Sequence, residues 1–403
     1  MDIVMSDGES RQSGIRITYT APNRAHHYPY AVAFAKAGVL HRFVCGFPRW
    51  SPRADEPVLA EYIERCDAVQ TVFLASLRLR APARWSEWLA HASKCRLDRR
   101  SRSFAQNSTH FIFYNGAGLD TARRLRGSGV VRVVEVVNSH VENQEELLAE
   151  EYRRCGLPYR GIYRREKLRR VAEYEEADFI LCPSGFARQS FLDRGFEPER
   201  IITSPYGFDW PDAGEPVEPT GHPDDRFVVL YVGTISVRKG LRYLMKAFGR
   251  LKHPRKELWI VGPQGSESGL AGVTIPENVV FKGVIKGRDL SRAYRQASVF
   301  VLPTIEDGFG LVLCEALAQG CLVIATENCG GPDLIREGEE GFIVPIRDPG
   351  AIQEKLEMVA DDPGRLAAMK EAAFARSRRL GGWAEIGRQL VEQLESVLHR
   401  ARA

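Results

Sequence analysis

The sequence predicts an α/β protein built on two doubly wound parallel sheets, and three observations carry that expectation. Short β-rich apolar runs alternate with helical patterns almost throughout, the arrangement of strands wrapped by helices. At 403 residues the chain exceeds what one hydrophobic core holds. The segment WPDAGEPVEPTGHPDD (210–225), rich in Pro and acid and without hydrophobic period, reads as a linker that parts the runs into two sets.

In the first set the strands fall on IRITY (15–19), RFVCGF (42–47), HFIFYN (110–115), VVRVVEVV (130–137), FILCPS (179–184) and RIITSP (200–205). In the second they fall on FVVLYVG (227–233), ELWIVG (257–262), NVVFKG (278–283), SVFVLP (298–303), CLVIAT (321–326) and GFIVP (341–345). The stretch 51–105 reads as irregular, and no repeat of the solenoid kind occurs. Trp383, Ile386, Leu390, Leu394, Val397 and Leu398 recur at helical spacing, so the chain closes on an amphipathic helix that must pack on something.

A hydrophobic share of 44% and a charged share of 27% exclude disordered and fibrous classes. The net charge of +4 conceals an asymmetry: residues 1–205 hold 31 Lys and Arg against 25 Asp and Glu, the remainder 25 against 27. Much of the surplus lies in 78–103 and 153–170, either as solvated helical arginines or as a face for an anionic acceptor or membrane surface. The eight cysteines show no CxxC and no zinc spacing, and read as buried thiols of a reducing compartment. Met1–Ser13 lacks the basic start and apolar run of a signal peptide, and no segment approaches the roughly 18 apolar residues that span a bilayer. The expected location is cytoplasmic, or peripheral to the inner face of the membrane.

The chemistry concentrates in LPTIEDGFGLVLCEALAQG (302–320). In doubly wound sheets ligands bind beyond the carboxyl ends of the strands, where this run delivers its polar residues. Gly308 and Gly310 permit a tight turn, and the helix start that follows suits a phosphate. Asp307 is either an acceptor for ligand hydroxyls or an N-cap. Glu315 sits among Leu311, Val312, Leu313, Cys314, Ala316, Leu317 and Ala318, and an unpaired buried carboxylate costs on the order of several kcal/mol. It therefore needs a partner, either a structural cation or the vicinal hydroxyls of a ribose. A second station, LYVGTISVRKG (230–240), places Arg238 and Lys239 at a strand end where a diphosphate would be neutralised. A third offers the backbone of Gly283 and Val284 to a base. In the first half, His140 follows an apolar strand containing Glu135, and Pro22 and Asn23 form a turn after the first strand.

These stretches resemble the retaining GT-B glycosyltransferases of family 4, a group of nucleotide-sugar-dependent enzymes. The likeness runs through VGTISVRKG, LWIVGPQG, the 279–326 stretch, GGPDLI and EGFIVP, and backwards through 177–210, whereas 20–175 is loosely similar. It implies two Rossmann-like domains facing an interdomain cleft: an acceptor domain at 14–205, a donor domain at 206–380, and a final helix at 381–403 crossing back to the first. The family's acidic pair, separated by seven positions, falls on Asp307 and Glu315, with aspartate replacing the usual glutamate and Glu306 beside it as a substitute contact. Lys239 matches the lysine on the donor diphosphate; the position of its partner arginine is Thr234, with Arg238 in its stead. His140 matches a histidine near the transferred sugar, and Pro22, Asn23 and Arg24 replace a glycine pair of the acceptor-side loop.

The implied reaction is transfer of a hexosyl unit (EC 2.4) from a nucleoside diphosphate sugar to an acceptor hydroxyl with retention. His140, Asp307 and Lys239 act at the reacting centre; Thr234, Arg238, Gly283, Val284, Glu306, Gly308, Phe309, Gly310, Leu311 and Glu315 complete the donor site. Without an Asp-x-Asp motif no metal or other cofactor is expected. Acceptors in polysaccharide, glycolipid or glycoconjugate synthesis fit a basic first half in peripheral membrane contact, and nucleic acid is not an expected partner. The alternatives are a sugar-nucleotide epimerase or phosphorylase of the same fold, or an inactive nucleotide-sugar-binding protein. A dinucleotide oxidoreductase is disfavoured because no G-x-G-x-x-G joins a strand to a helix.

Overall fold

The computed structural model describes residues 14–209, 224, 226–265 and 267–402. Met1–Ser13 and the expected linker at 210–225, Asp224 apart, lie outside the described residues. One sheet contains β1 (Ile17–Ala21), β2 (Leu40–Cys45), β3 (Ile63–Arg65), β4 (His110–Tyr114), β5 (Val131–Glu135), β6 (Phe179–Cys182) and β7 (Ile201–Thr203), in the order β3-β2-β1-β4-β5-β6-β7. The other contains β8 (Phe227–Val232), β9 (Lys256–Val261), β10 (Val279–Gly283), β11 (Val299–Leu302), β12 (Leu322–Thr326) and β13 (Gly341–Val344), in the order β10-β9-β8-β11-β12-β13. Strand order reverses beside β1 and beside β8, giving each sheet the switch point at which doubly wound folds bind ligands.

Every strand expected from an apolar run is present. The second sheet shows why such runs form parallel strands: both faces are covered, so neither parity is left polar. On one face Val229, Tyr231, Ile260, Val301 and Ile324 pack with the helices Leu241–Arg250 and Pro349–Ala360. On the other, Leu230, Val232, Val261, Leu302 and Val323 pack with Arg288–Gln296 and Leu311–Ala318. Full burial of each such side chain contributes about 1.5–3 kcal/mol.

The stretch 51–105 differs from its irregular reading. It contains β3 and two helices, Ala68–Arg78 and Ala83–Ala105. The second helix buries Ser86, Ser93, Asp98 and Ser101 alongside Leu97 and Ala105, so it carries no apolar stripe to announce it. Polar bonds hold it instead. Ser93 Oγ donates to Gln70 Oε1 at 2.8 Å, Ser101 Oγ lies 2.6 Å from Thr20 Oγ1, and Asp98 accepts from the amides of Asp120 and Thr121.

The chain divides into two compact units, one of residues up to Val134 with Ala172–Phe179 and those from Gly387 on, the other of Glu135–Val171 and Ile180–Ile386. In the first unit the terminal helix is held where His110 Nε2 donates to Leu394 O at 3.1 Å. Gly387 lies so close to Ala33 that an added Cβ would stand 2.2 Å from that side chain. No described helix is long and apolar enough to cross a membrane.

Candidate functional site

In the second unit, β8 ends at Gly233, and the chain makes a single 3-10 turn (Val237–Lys239) before the helix Leu241–Arg250. The neighbouring strand β11 leads through 303–310 into the helix Leu311–Ala318. These two strand-end loops are bonded to each other: Ile305 N donates to Arg238 O at 2.8 Å, and Arg238 Nη1 donates to Glu306 O at 2.8 Å. The result brings Lys239 Nζ into an ion pair with Asp307 Oδ2, with Arg238 Nη1 3.8 Å from Asp307 Oδ1. Burial alone would raise the Asp307 carboxyl, but Lys239 and Arg238, with the Phe309 amide, hold it below the usual carboxylate range.

Gly308 has a different reason from the one expected of it. An added Cβ would lie 1.9 Å from Val137 O, so glycine is required by backbone packing within this unit. Gly308 O accepts from Ser184 Oγ at 2.6 Å. Gly310 does serve the turn, at φ 85°. Phe309 is buried against the ring of Tyr206, 5.2 Å away, and Leu311 opens the helix, whose first amides have no intrahelical acceptor.

Glu306 is fully buried, with its carboxylate committed to the protein. It accepts from Ser139 N and Ser139 Oγ and from Gln144 Nε2, each at 3.0 Å. Through Ser139 it also fixes the adjacent His140, which belongs to the same compact unit as the two strand-end loops. The His140 amide donates to Ser190 Oγ at 2.8 Å, and its Nδ1 accepts from Glu142 N at 3.2 Å, capping the helix Val141–Arg154. The ring proton therefore sits on Nε2. Burial, reinforced by the charges of Arg194 and Lys167, pushes His140 down to about 3, so the imidazole is neutral at ordinary pH.

Glu315 lacks the structural cation that was one of the two partners expected for it. Its Oε2 accepts from the hydroxyl of buried Tyr294 at 3.0 Å, and no cation pairs with it among the described residues. Burial raises its carboxyl and the Tyr294 hydrogen bond only partly opposes that shift. Thr234 is exposed, and its carbonyl accepts from Tyr231 Oη at 2.8 Å. Gly283, at φ 64°, ends β10 and accepts from Gly262 N at 2.8 Å, next to Val284, which is 55% exposed. Pro22 and Asn23 lie in the first unit after β1, and Asn23 Oδ1 is buried with no hydrogen-bond partner among the described residues.

Sequence reasoning missed Ser139, Gln144, Ser184 and Tyr294. Ser139, Gln144 and Ser184 come from elements remote in sequence from the loop they support, Ser139 and Glu306 being 167 positions apart, whereas Tyr294 lies 21 positions before Glu315, in the helix Arg288–Gln296. Ser139, next to the singled-out His140, and Ser184, closing the expected strand FILCPS, stood near a recognisable signal, and Tyr294 lay in the 279–326 stretch that carries the resemblance. All eight cysteines are free thiols, five buried and three half-buried.

The fold is that of glycosyltransferases of the GT-B type: α/β, with two Rossmann-like parallel-sheet domains. Residues 215–376 match the family described as glycosyl transferases group 1. D-inositol 3-phosphate glycosyltransferase of Streptomyces avermitilis is 34% identical over 178 residues, covering 40% of this chain and 38% of that protein. D-inositol 3-phosphate glycosyltransferase 1 of Catenulispora acidiphila is 29% identical over 228 residues, 52% of this chain and 54% of that protein. The chain thus spans about half or less of the length of these curated relatives. Among solved structures, sucrose-phosphate synthase from Thermosynechococcus elongatus matches with a TM-score of 0.67 and 17% identity over 96% of this chain and 100% of that one. Anabaena HepE in complex with UDP matches with a TM-score of 0.63 and 14% identity over 95% of this chain and 100% of that one. At these identities the likeness is one of fold.

Proposed function

We propose that the protein is a retaining glycosyltransferase of family 4 that moves a sugar from a nucleoside diphosphate sugar to an acceptor hydroxyl. The observation that carries the reading is the meeting of Arg238, Lys239 and Asp307 beside the start of the helix Leu311–Ala318, at a sheet's switch point. Cations and unpaired amides at one point suit a diphosphate. A diphosphate there competes with Asp307 for Lys239, and the displaced carboxylate becomes an acceptor for sugar hydroxyls.

In the proposed reaction the bond between the anomeric carbon and the diphosphate oxygen breaks. The acceptor oxygen bonds to that carbon from the same face, and its proton passes to the departing diphosphate. Lys239, Arg238 and the helix start stabilise the charge that develops on the leaving group, which places the main rate effect in electrostatics. Neutral His140 donates from Nε2 to the sugar rather than adding charge, and Glu315 accepts from the ribose. No metal ion is required, and peripheral contact of the basic first half with a membrane belongs to the same proposal.

HepE was solved with UDP, and also with UDP-glucose, which makes uridine donors the first to test. Turnover of a UDP-sugar with an acceptor panel, unaffected by chelator and giving an α-linked product from an α-linked donor by NMR, is the expected result. An inverted product, or an isomerised donor without acceptor, overturns it.

A further inference from the structure

Five of the large apolar side chains that the described chain leaves exposed crowd one helical hairpin of the first unit. They are Val72 (54% exposed), Leu77 (51%), Leu79 (81%), Trp85 (64%) and Trp88 (47%). The hairpin consists of the helices Ala68–Arg78 and Ala83–Ala105. The indoles of Trp85 and Trp88 stand edge to face, 6.5 Å apart, one turn from each other. Arg78, Arg80 and Arg84 are exposed in the same tip, and Glu87 is the single carboxylate in residues 68–97.

This exposure does not come from a frayed end. Arg80 N donates to Leu77 O at 3.2 Å and Ala81 N to Ser76 O at 2.9 Å, the paired bonds of a Schellman cap. Ser76 Oγ and Ser86 Oγ meet at 2.9 Å across the two helices, and Ser93 binds Gln70 farther down. The position at the cap's left-handed corner, where glycine is cheapest, holds Arg80 at φ 52°. A bonded tip therefore presents indoles, leucines and guanidinium groups to the surroundings.

We propose that this tip docks the protein on an anionic lipid bilayer, with Leu79, Trp85 and Trp88 entering the interfacial layer and Arg78, Arg80 and Arg84 meeting the phosphate headgroups. Tryptophan is the residue of membrane–water interfaces, and a basic, apolar tip has the composition of an interfacial anchor. Charge selects this occupant over a second copy of the chain: two such tips would bring six arginines together against two glutamates. The inference rests on the peripheral membrane contact proposed above and not on the transfer chemistry.

The test is sedimentation of the full chain with vesicles of phosphatidylcholine alone and with roughly a third of the lipid replaced by phosphatidylglycerol. Binding to the anionic vesicles is expected, weakening as salt rises, and the doubly substituted Leu79→Ser, Trp85→Ser protein is expected to bind at least about tenfold more weakly. UDP binding on the same preparations reports the donor site separately, so failure of one reading does not touch the other. The proposal is overturned if the unaltered protein ignores anionic vesicles. It is overturned equally if the double variant sediments as well as the parent, or if the substitutions turn a dimer into a monomer by light scattering. Should the double variant not fold, Arg80→Ser decides: its anionic-vesicle binding is expected to fall about fivefold, and unchanged binding overturns the proposal.

Discussion

Glu315 and Glu306 are both carboxylates in apolar company, and the structure treats them oppositely. Glu306 is satisfied by three protein donors, whereas Glu315 has one, from Tyr294. The spacing of Asp307 and Glu315 was legible because nine residues of chain carry both. The supports of Glu306 were not, because Ser139 and Gln144 reach it only through the tertiary fold. Glu306→Ala is expected to destabilise by about 2–4 kcal/mol, since a buried network loses its shared acceptor, and urea melting measures this. His140 sets a pH dependence. Its folded pKa lies near 3, below the unfolded value of about 6.5, so the unfolded state binds more protons in between and stability falls as pH drops through that window. His140→Asn is expected to flatten that part of the stability profile in denaturation series from pH 7 to 4; an unchanged slope contradicts the assignment.

At the scale of elements, the strands were readable because parallel strands covered on both faces are continuous apolar runs, as in FVVLYV of β8. The helix Ala83–Ala105 was not readable, because serines and Asp98 replace the apolar stripe that periodicity detects. The turn 308–310 carries its own prediction. Gly308→Ala forces a Cβ against Val137 O, where backbone leaves little room to yield. It should lower stability by about 1–3 kcal/mol by thermal melting and weaken UDP binding at the same time. Arg80→Gly acts the other way: it relieves a left-handed arginine, gaining up to about 1 kcal/mol of stability, while vesicle binding falls. A variant that keeps its full vesicle affinity would contradict the docking proposal, as unchanged binding of Arg80→Ser would.

For the whole molecule, the sequence predicted two doubly wound sheets, and both are present with a switch point each. Charge asymmetry between the halves, much of it in 78–103 and 153–170, left solvated arginines and an anionic partner both open; the exposed tip at 72–88 required knowing which residues the fold leaves uncovered. The proposed donor site rests on a constellation that two loops assemble, Lys239 and Arg238 from one and Asp307 from the other, beside the helix bearing Glu315. The most direct test is calorimetric titration of UDP into the unaltered protein and into Lys239→Ala and Glu315→Ala. Losing a charge-assisted hydrogen bond is worth about 1.5–3 kcal/mol, so each variant should bind roughly 10- to 100-fold more weakly; Glu315→Ala should keep its melting temperature, whereas Lys239→Ala should melt lower because it leaves buried Asp307 without its closest cation. If both variants held UDP as tightly as the parent, the diphosphate and the ribose would lie elsewhere.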